Sequence, residues 1–463
     1  AAEDTERSVF LCIRLCVCVS GCPSVCVCVC VCVCVCQRGR MASMLQLAPG
    51  EVWVSIFSFA VYEEEFTQWT VCKEWMPLFV RGVGGLRIRN TRNLLCAGSL
   101  FANAPGLTLL DFSTFPFAKE VSAGRFCEWL RGLPALREMS VANCNLFGRQ
   151  DKGRTEEFFA FLSENTTIRT LNVADNDIGI SGFDALMNML DRNSSITSLD
   201  LSANLLTNDI DGCLVRFLER HPKIQDLCLR GNRCSRLPSL LSYLNKQECQ
   251  LETLDLSYNE WVGSSGMTIF SNLKPDAPLK RLLCDGEPST DFSGRRVLAF
   301  VRMLRSNQNL TSVSLRADKL LPSNISPLCE MLSDPHASAS LQELDLSDNF
   351  LGVEGAKLLG AAVAANANLT TLKIGYNLLC CDGCSHLVQS VCDSTSLTSL
   401  HLNNNSITGA CLADLEKLLE TCSPLKVLNL NGNRLEPPHI QRLAEVGAQH
   451  GVRVLLQGNT SRP

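Results

Sequence analysis

The side chains of this chain best suited to chemistry are thiols and imidazoles. Cys380-Cys381-Asp382-Gly383-Cys384 contains a CxxC spacing, and His386 follows two residues later. Two thiolates at that spacing form half of a tetrahedral zinc site, and a full site needs a second pair. Cys392 is the nearest further candidate. Aligned on the repeat described below, however, Cys384 takes the place of Ala356 and Gly383 that of Gly355. The expectation is therefore that core positions of a repeat are filled by cysteine acting as a small hydrophobe. His401 has no Ser, Cys or carboxylate partner at a recognisable catalytic spacing. No P-loop, dinucleotide-binding glycine fingerprint or nucleophile elbow occurs in the sequence. The expectation is a non-enzymatic binding protein with no cofactor and no metal.

Ten of the 26 cysteines lie in the first 36 residues, where Cys26 to Cys36 alternates strictly with valine. A dinucleotide repeat encodes such a tract, and the first Met is Met41. Residues 1–40 are thus expected to be a low-complexity Cys/Val tract outside the folded protein. A membrane segment is the rival, because Leu15 to Cys36 carries no charge and is long enough to span a bilayer. A metal-binding tract is a third reading, although alternation is not a CxxC spacing. The remaining sixteen cysteines are scattered without a paired framework, which points to a reducing compartment, cytoplasm or nucleus. Hydrophobic residues make up 46% and charged residues 19%, and the net charge is −5 with no block of like charge. That balance disfavours wrapping nucleic acid or lying on anionic lipid.

The elements that position everything else recur at a fixed period. Leu341-x-x-Leu344-x-Leu346-x-x-Asn349-x-Leu351 returns at Leu369, Leu397 and Leu425, each 28 residues after the last. Further starts fall at Leu107, Leu136, Ile168, Ile196, Ile224, Leu251, Leu279 and Leu310, with Val452 as a final candidate. A period of this length marks a solenoid. The last two leucines of the phrase alternate, so they point inward from a short strand. The asparagine stands where the chain turns away, and its amide can satisfy backbone groups on both sides of that turn. Asn176, Asn204, Asn232, Asn259, Asn349, Asn377, Asn405 and Asn433 hold this place, with Cys144, Glu287 and Asp318 as replacements. The second half of each unit has helical periodicity, as in Gly182 to Leu190 and Glu354 to Leu359.

This unit resembles the ribonuclease-inhibitor class of leucine-rich repeats, over about three quarters of the chain. The resemblance implies an α/β fold, a right-handed horseshoe solenoid of about 12 units over residues 86–463, with the strands on the concave side. Leu86 to Ile88 and Leu107 to Phe112 read as degenerate first strands. The Leu279 unit breaks the rhythm, with Cys284 and Glu287 at the usual Leu and Asn positions and a turn-rich insert from Gly286 to Gly294. Outward strand positions include Arg137, Arg169, Asp200 and Asn429, and the partner-binding set is read as Arg230, Asp255, Tyr258, Arg316, Asp345, Lys373, Tyr376 and His401. Phosphate backbones call for one basic sign. Mixed charge with Tyr and Arg suits a protein partner.

Residues 41–85 are not repeat-like. Pro49-Gly50-Glu51 followed by VWVSIFSFA reads as a short buried helix, and Phe66 to Trp75 as a second. Pro49, Glu51, Val52, Ile56, Phe57, Ser58 and Phe59, then Val71, Cys72, Lys73 and Trp75, resemble the F-box, a small three-helix module. Ala48 stands where that pattern has Leu, and Trp53 is bulkier than usual. The resemblance implies docking of a Skp-type adaptor through Pro49, Val52, Ile56, Phe57, Val71, Cys72 and Trp75, and a substrate-receptor role in a cullin-RING ubiquitin ligase. The other reading is a helical cap sealing the array, in a scaffold subunit of a stable cytoskeletal or ciliary complex.

Overall fold

The structure is a computed structural model. It describes residues 106–114, 123–145, 152–260, 273–286, 295–334 and 340–459, and the strand backbones nearer the N-terminus. Two of those strands, β1 (Phe10–Cys18) and β2 (Cys26–Cys34), pair antiparallel in a sheet of their own. Among the described residues no helix is long and apolar enough to cross a membrane.

The chain divides into two compact units, one of residues 1–178 with 188–200 and one of 179–187 with 201–463. In the first unit β3 (Trp53–Ile56), β4 (Gly85–Ile88), β5 (Leu109–Asp111), β6 (Glu138–Ser140), β7 (Thr170–Asn172) and β8 (Ser198–Asp200) pair parallel in succession. Two helices of this unit are α1 (Ala123–Arg131) and α2 (Lys152–Glu164), and α3 (Gly179–Leu190) divides between the units. Phe112, Phe126, Phe158, Phe159 and Phe161 make an aromatic core here. Phe112 and Phe126 meet edge to face at 4.9 Å.

The strand at Trp53–Ile56 corrects the expectation of a helix over that stretch. Val52, Trp53, Val54, Ile56 and Phe57 are all β-branched or aromatic, residues that lose side-chain freedom in a helix and suit a pleated surface. A short apolar run does not declare its period, and parallel pairing with Gly85–Ile88 decides it here. Pro49, Val52, Phe57, Val71, Cys72 and Trp75 lie outside the described residues, as do Glu287 and the insert that follows it.

In the second unit the strands are β9 (Asp226–Cys228), β10 (Thr253–Asp255), β11 (Arg281–Leu283), β12 (Ser312–Ser314), β13 (Glu343–Asp345), β14 (Thr371–Lys373), β15 (Ser399–His401), β16 (Val427–Asn429) and β17 (Arg453–Leu455). Each pairs parallel with the next, leucine or valine beside its counterpart, as Leu344 beside Leu372 beside Leu400. α4 (Asp211–Arg220) precedes β9, and between the strands run α5 (Pro238–Leu244), α6 (Arg295–Ser306), α7 (Pro322–Ser333), α8 (Gly352–Ala365), α9 (Cys380–Val391), α10 (Leu412–Thr421) and α11 (Pro437–Gln449). Proline opens α5, α7 and α11, where a missing N–H costs nothing. The α/β leucine-rich-repeat solenoid expected from the sequence is the fold found.

β13, β14 and β15 each bury their middle residue and half-expose the two beside it, which is the period of two at work. Leu341, Leu344, Leu346 and Leu351 of one coil are all buried, and α8 adds Ala356, Leu359, Ala362 and Val363. Burial of one such leucine stabilises by about 2 kcal/mol. The asparagines close the turns as their chemistry predicts. The Asn405 amide donates to Ile374 O (2.9 Å) and Leu402 O (3.2 Å), while its oxygen accepts from Asn377 N (2.8 Å). Asn405's own N–H then donates to Asn433 Oδ1, so the coils are linked in series. Cys144 fills the same place with its thiol donating to Phe112 O at 3.2 Å. Asn459 continues the series after β17, donating to Leu430 O and Leu456 O.

Candidate functional site on the strand face

The half-exposed strand positions of the second unit, with the two residues that follow each buried leucine, form its polar face. Arg230, Tyr258, Arg316 and Tyr376 are exposed, and Asp255, Asp345, Lys373 and His401 are half-buried. Asp255, Asp345, Lys373 and His401 end their strands, Arg230 and Arg316 stand two residues past a strand end, and Tyr258 and Tyr376 three residues past one; specific contacts join several of them.

The Arg230 guanidinium lies 4.3 Å over the Tyr258 ring, which keeps 40% of its surface exposed. Tyr258 has φ +55°, and its N–H donates to Asp285 O of the next coil. Gly286 follows with φ +72°, and a Cβ there would run into the Tyr258 ring. A stacked Arg–Tyr pair bared on one side offers a flat cation–π surface. The glycine beneath it is what lets the ring lie down.

Asp285 is the buried acid of this face, only 7% exposed. Its carboxylate accepts from Ser314 Oγ and from Arg316 N (3.0 Å). Burial raises its pKa above the ordinary carboxylate value, the two hydrogen bonds act the other way, and the charges of Asp345 and Asp255 add to the rise. The folded state therefore holds the proton more tightly than the unfolded chain. Stability falls as pH climbs from the ordinary carboxylate range through the raised value, and stays lower above it. Asp285→Asn keeps an acceptor for both donors and cannot ionise. It is expected to unfold at higher urea than the parent at neutral pH and to lose that advantage at pH 3, with urea midpoints across pH as the check.

Glu343 is a hub two strands away. Burial works against its ionisation, but Lys373 Nζ (2.5 Å), Ser312 Oγ (3.1 Å) and Arg281 (3.9 Å) outweigh that, so its pKa is lowered. His401 stands next to Lys373 in the register. Asn429 donates to its Nδ1 at 3.2 Å, which leaves Nε2–H for Ser399 Oγ at 3.0 Å. Burial lowers the His401 pKa, and the Lys373 charge lowers it further. Every polar atom of that ring is used in holding neighbours.

Other expectations resolve differently. Arg137 and Arg169 do not reach the strand face of the first unit. Their guanidiniums donate to loop carbonyls, Arg137 to Pro134 O and Leu136 O and Arg169 to Ser195 O. Each arginine stands one residue before its strand and serves the turn into it. Cys384 is fully buried in α9, Cys381 shares a hydrogen bond with Thr408 Oγ1, and Cys380 is exposed. Among the described residues no group of three or more His, Cys, Asp or Glu is arranged to hold a metal ion.

The sequence reading missed Asp285, Glu343 and Arg281. Asp285 sat in a unit whose rhythm is broken, so its alignment was obscured. Glu343 and Arg281 fall at the first strand position, and stacking the coils as Arg281, Ser312, Glu343, Thr371 puts opposite charges two coils apart.

Leucine-rich-repeat family models match residues 164–187, 249–268 and 337–360, and a second such model matches 396–418. Ribonuclease inhibitor of Mus musculus is 27% identical over 234 residues, covering 50% of this chain and 50% of that protein. Ribonuclease inhibitor of Sus scrofa is 29% identical over 234 residues, covering 49% of each. NACHT, LRR and PYD domains-containing protein 5 of Mus musculus is 27% identical over 261 residues, 55% of this chain and 21% of that one. The chain spans about half the length of the ribonuclease inhibitors it matches. Among solved structures, the Rad7 and Elc1 complex of yeast has a chain 15% identical with a TM-score of 0.46, covering 79% of this chain and 80% of that one. The repeated phrase, the parallel strands with their asparagine series and the matched family models agree: the chain is built of leucine-rich repeats, and it is similar to the ribonuclease inhibitors.

Proposed function

We propose that the chain is a non-enzymatic recognition protein that binds a protein partner on the strand face of its second unit. The observation that carries this is the exposed Arg230–Tyr258 stack, seated on Gly286 beside mixed charges. Arginine and tyrosine are the residues in which interface energy concentrates. Arg316, Asp345, Lys373, Tyr376 and His401 extend the face, and both signs of charge select a protein surface over a phosphate backbone.

The finer proposal is an F-box-type substrate receptor of a cullin-RING ubiquitin ligase, docking a Skp-type adaptor through Pro49, Val52, Ile56, Phe57, Val71, Cys72 and Trp75. The motif residues in their order before a repeat array support it. The strand at Trp53–Ile56 is the feature that this proposal must accommodate. Proximity labelling in cells with residues 41–463 separates the readings, comparing the parent with Trp75→Ala and Tyr258→Ala. Loss of a Skp-type adaptor and cullin from Trp75→Ala alone, and of a different protein from Tyr258→Ala alone, is the expected result. Absence of any adaptor or cullin from the parent's neighbours sinks the ligase proposal. A stoichiometric partner that is not turned over then favours a scaffold subunit.

A further inference from the structure

Each coil of the second unit leaves its strand through a turn that requires left-handed backbone at residues flanking the asparagine. Such positions favour Gly, Asn or Asp. Gly231, Gly286, Asp348, Asn404 and Gly432 meet that preference, while Ala203 with Leu205, Tyr258, Ala317 with Lys319, and Ser406 do not. The coil of β14 departs furthest from it. Its three left-handed positions hold Tyr376 (φ +56°), Leu378 (φ +56°) and Cys380 (φ +53°). Tyr376 is 48% exposed and Leu378 60% exposed, so neither is placed there by the core.

The neighbouring coil adds to the same strip. Phe350 stands five residues after Asp345, as Leu378 stands five after Lys373, its register partner. Phe350 is 51% exposed. The two turns are joined by Gly352 N–H donating to Asn377 O (3.0 Å) and Asp348 N–H donating to Gly375 O (2.8 Å). Phe350 and Leu378 therefore line one rim of the second unit, beside the strand face, and Tyr376 stands where the two meet. Two observations meet there: large apolar side chains left in water, and disfavoured backbone at two of the three. Strain retained at an exposed site is a mark of function, and grouped exposed apolar residues mark contact surfaces.

Charge decides the kind of occupant. Asp348 in the first of these turns and Asp382 in the opening of α9 are exposed, and Glu354 is also exposed although Lys357 sits 2.8 Å from it. Lys319, at the equivalent turn one coil earlier, is only half-exposed. We infer that this rim holds a protein segment that sets one apolar side chain against Phe350, Tyr376 and Leu378 and carries Lys or Arg beside it. The inference deepens the proposed protein-binding role and rests on it.

The test uses the full chain. A phage-displayed peptide library is selected on it, and the selected peptides are made and titrated by fluorescence anisotropy. Peptides with an apolar residue next to Lys or Arg are expected, weakened about tenfold by Leu378→Asn and by Phe350→Ser. Asn tolerates the left-handed backbone that Leu resists, so Leu378→Asn is expected to melt no lower than the parent while binding less. That combination separates a binding role from a packing role. Peptides with acidic flanks, peptides held equally by parent and variants, or an empty selection overturn the inference. So does a dimer, or binding to anionic vesicles, that Leu378→Asn abolishes. Peptides lost on Tyr258→Ala and indifferent to Leu378→Asn overturn the rim and leave the strand-face proposal standing. Peptides lost on Leu378→Asn and indifferent to Tyr258→Ala support the rim, and the strand-face proposal keeps its own test.

Discussion

Asn405→Ala is expected to cost about 3–5 kcal/mol, at the upper end of single substitutions. Asn405 is fully buried. Its side chain answers Ile374 O and Leu402 O as donor, and Asn377 N (2.8 Å) and Leu379 N (3.4 Å) as acceptor. Alanine leaves these backbone groups in a space too small and too apolar to admit enough water. Each unsatisfied buried group costs about 1–3 kcal/mol, discounted where the turn relaxes. Asn405→Asp retains the acceptor and loses both donors, so it is expected to be no better at neutral pH. Because each coil packs on its neighbours, the damage is expected to be local. Hydrogen exchange should show Leu372, Leu400 and Leu428 amides losing protection while Leu227 and Leu254 keep theirs. Uniform loss across the second unit would show that it unfolds as one block. Loss below about 1 kcal/mol in urea titration would mean the asparagine series is not what closes the turns.

That series was fully legible from sequence, and the physics says why. A coil has few ways to satisfy the backbone where it leaves the strand, so the same amide is needed each time and appears in the letters every 28 residues. The buried leucines are legible for the same reason. Cys144 and Asn459 were harder, since one substitutes a thiol and the other follows a single degenerate strand, yet both make the expected bonds. What was not legible is anything carried by a pair of coils. Glu343 reaching Lys373, Asp285 reaching Ser314 and Arg230 reaching Tyr258 join residues 28 to 30 apart. No spacing motif within one repeat can announce them. The segment Trp53–Ile56 failed for another reason: a short, mostly apolar run without flanking periodicity fits either element, and only a pairing partner chooses.

Specificity in such a protein is therefore expected to reside between coils, and the conservative positions to carry stability. The strand face illustrates this. Its contacts hold His401, Asn429 and Ser399 against one another and tie Glu343 to three donors, which fixes side chains before any partner arrives. Fixed side chains lose less freedom on binding. The Arg230–Tyr258 stack and the Phe350–Leu378 rim remain the exposed exceptions.

Phe300→Ala tests the coil whose rhythm is broken. Phe300 is fully buried in α6, whose other inward residues Val297, Met303 and Leu304 are also buried. Removing the ring takes away its transfer free energy and leaves a cavity that a helix packed on α7 cannot fully close, about 3–5 kcal/mol in all. The unit carrying it precedes β12 and follows the β11 strand that seats Asp285 and Gly286. Loosening α6 is therefore expected to free Leu282 and Val313 amides to exchange and to release Tyr258 from its seat, seen as a change in tyrosine fluorescence. The coils of β14 to β16 are expected to keep their protection, since their helices α8 to α10 do not include this residue. Retained protection there, with loss around β11 and β12, would show that the irregular unit divides the second unit into separately opening parts. Equal loss in β15 would show that it transmits stability as fully as a regular coil does.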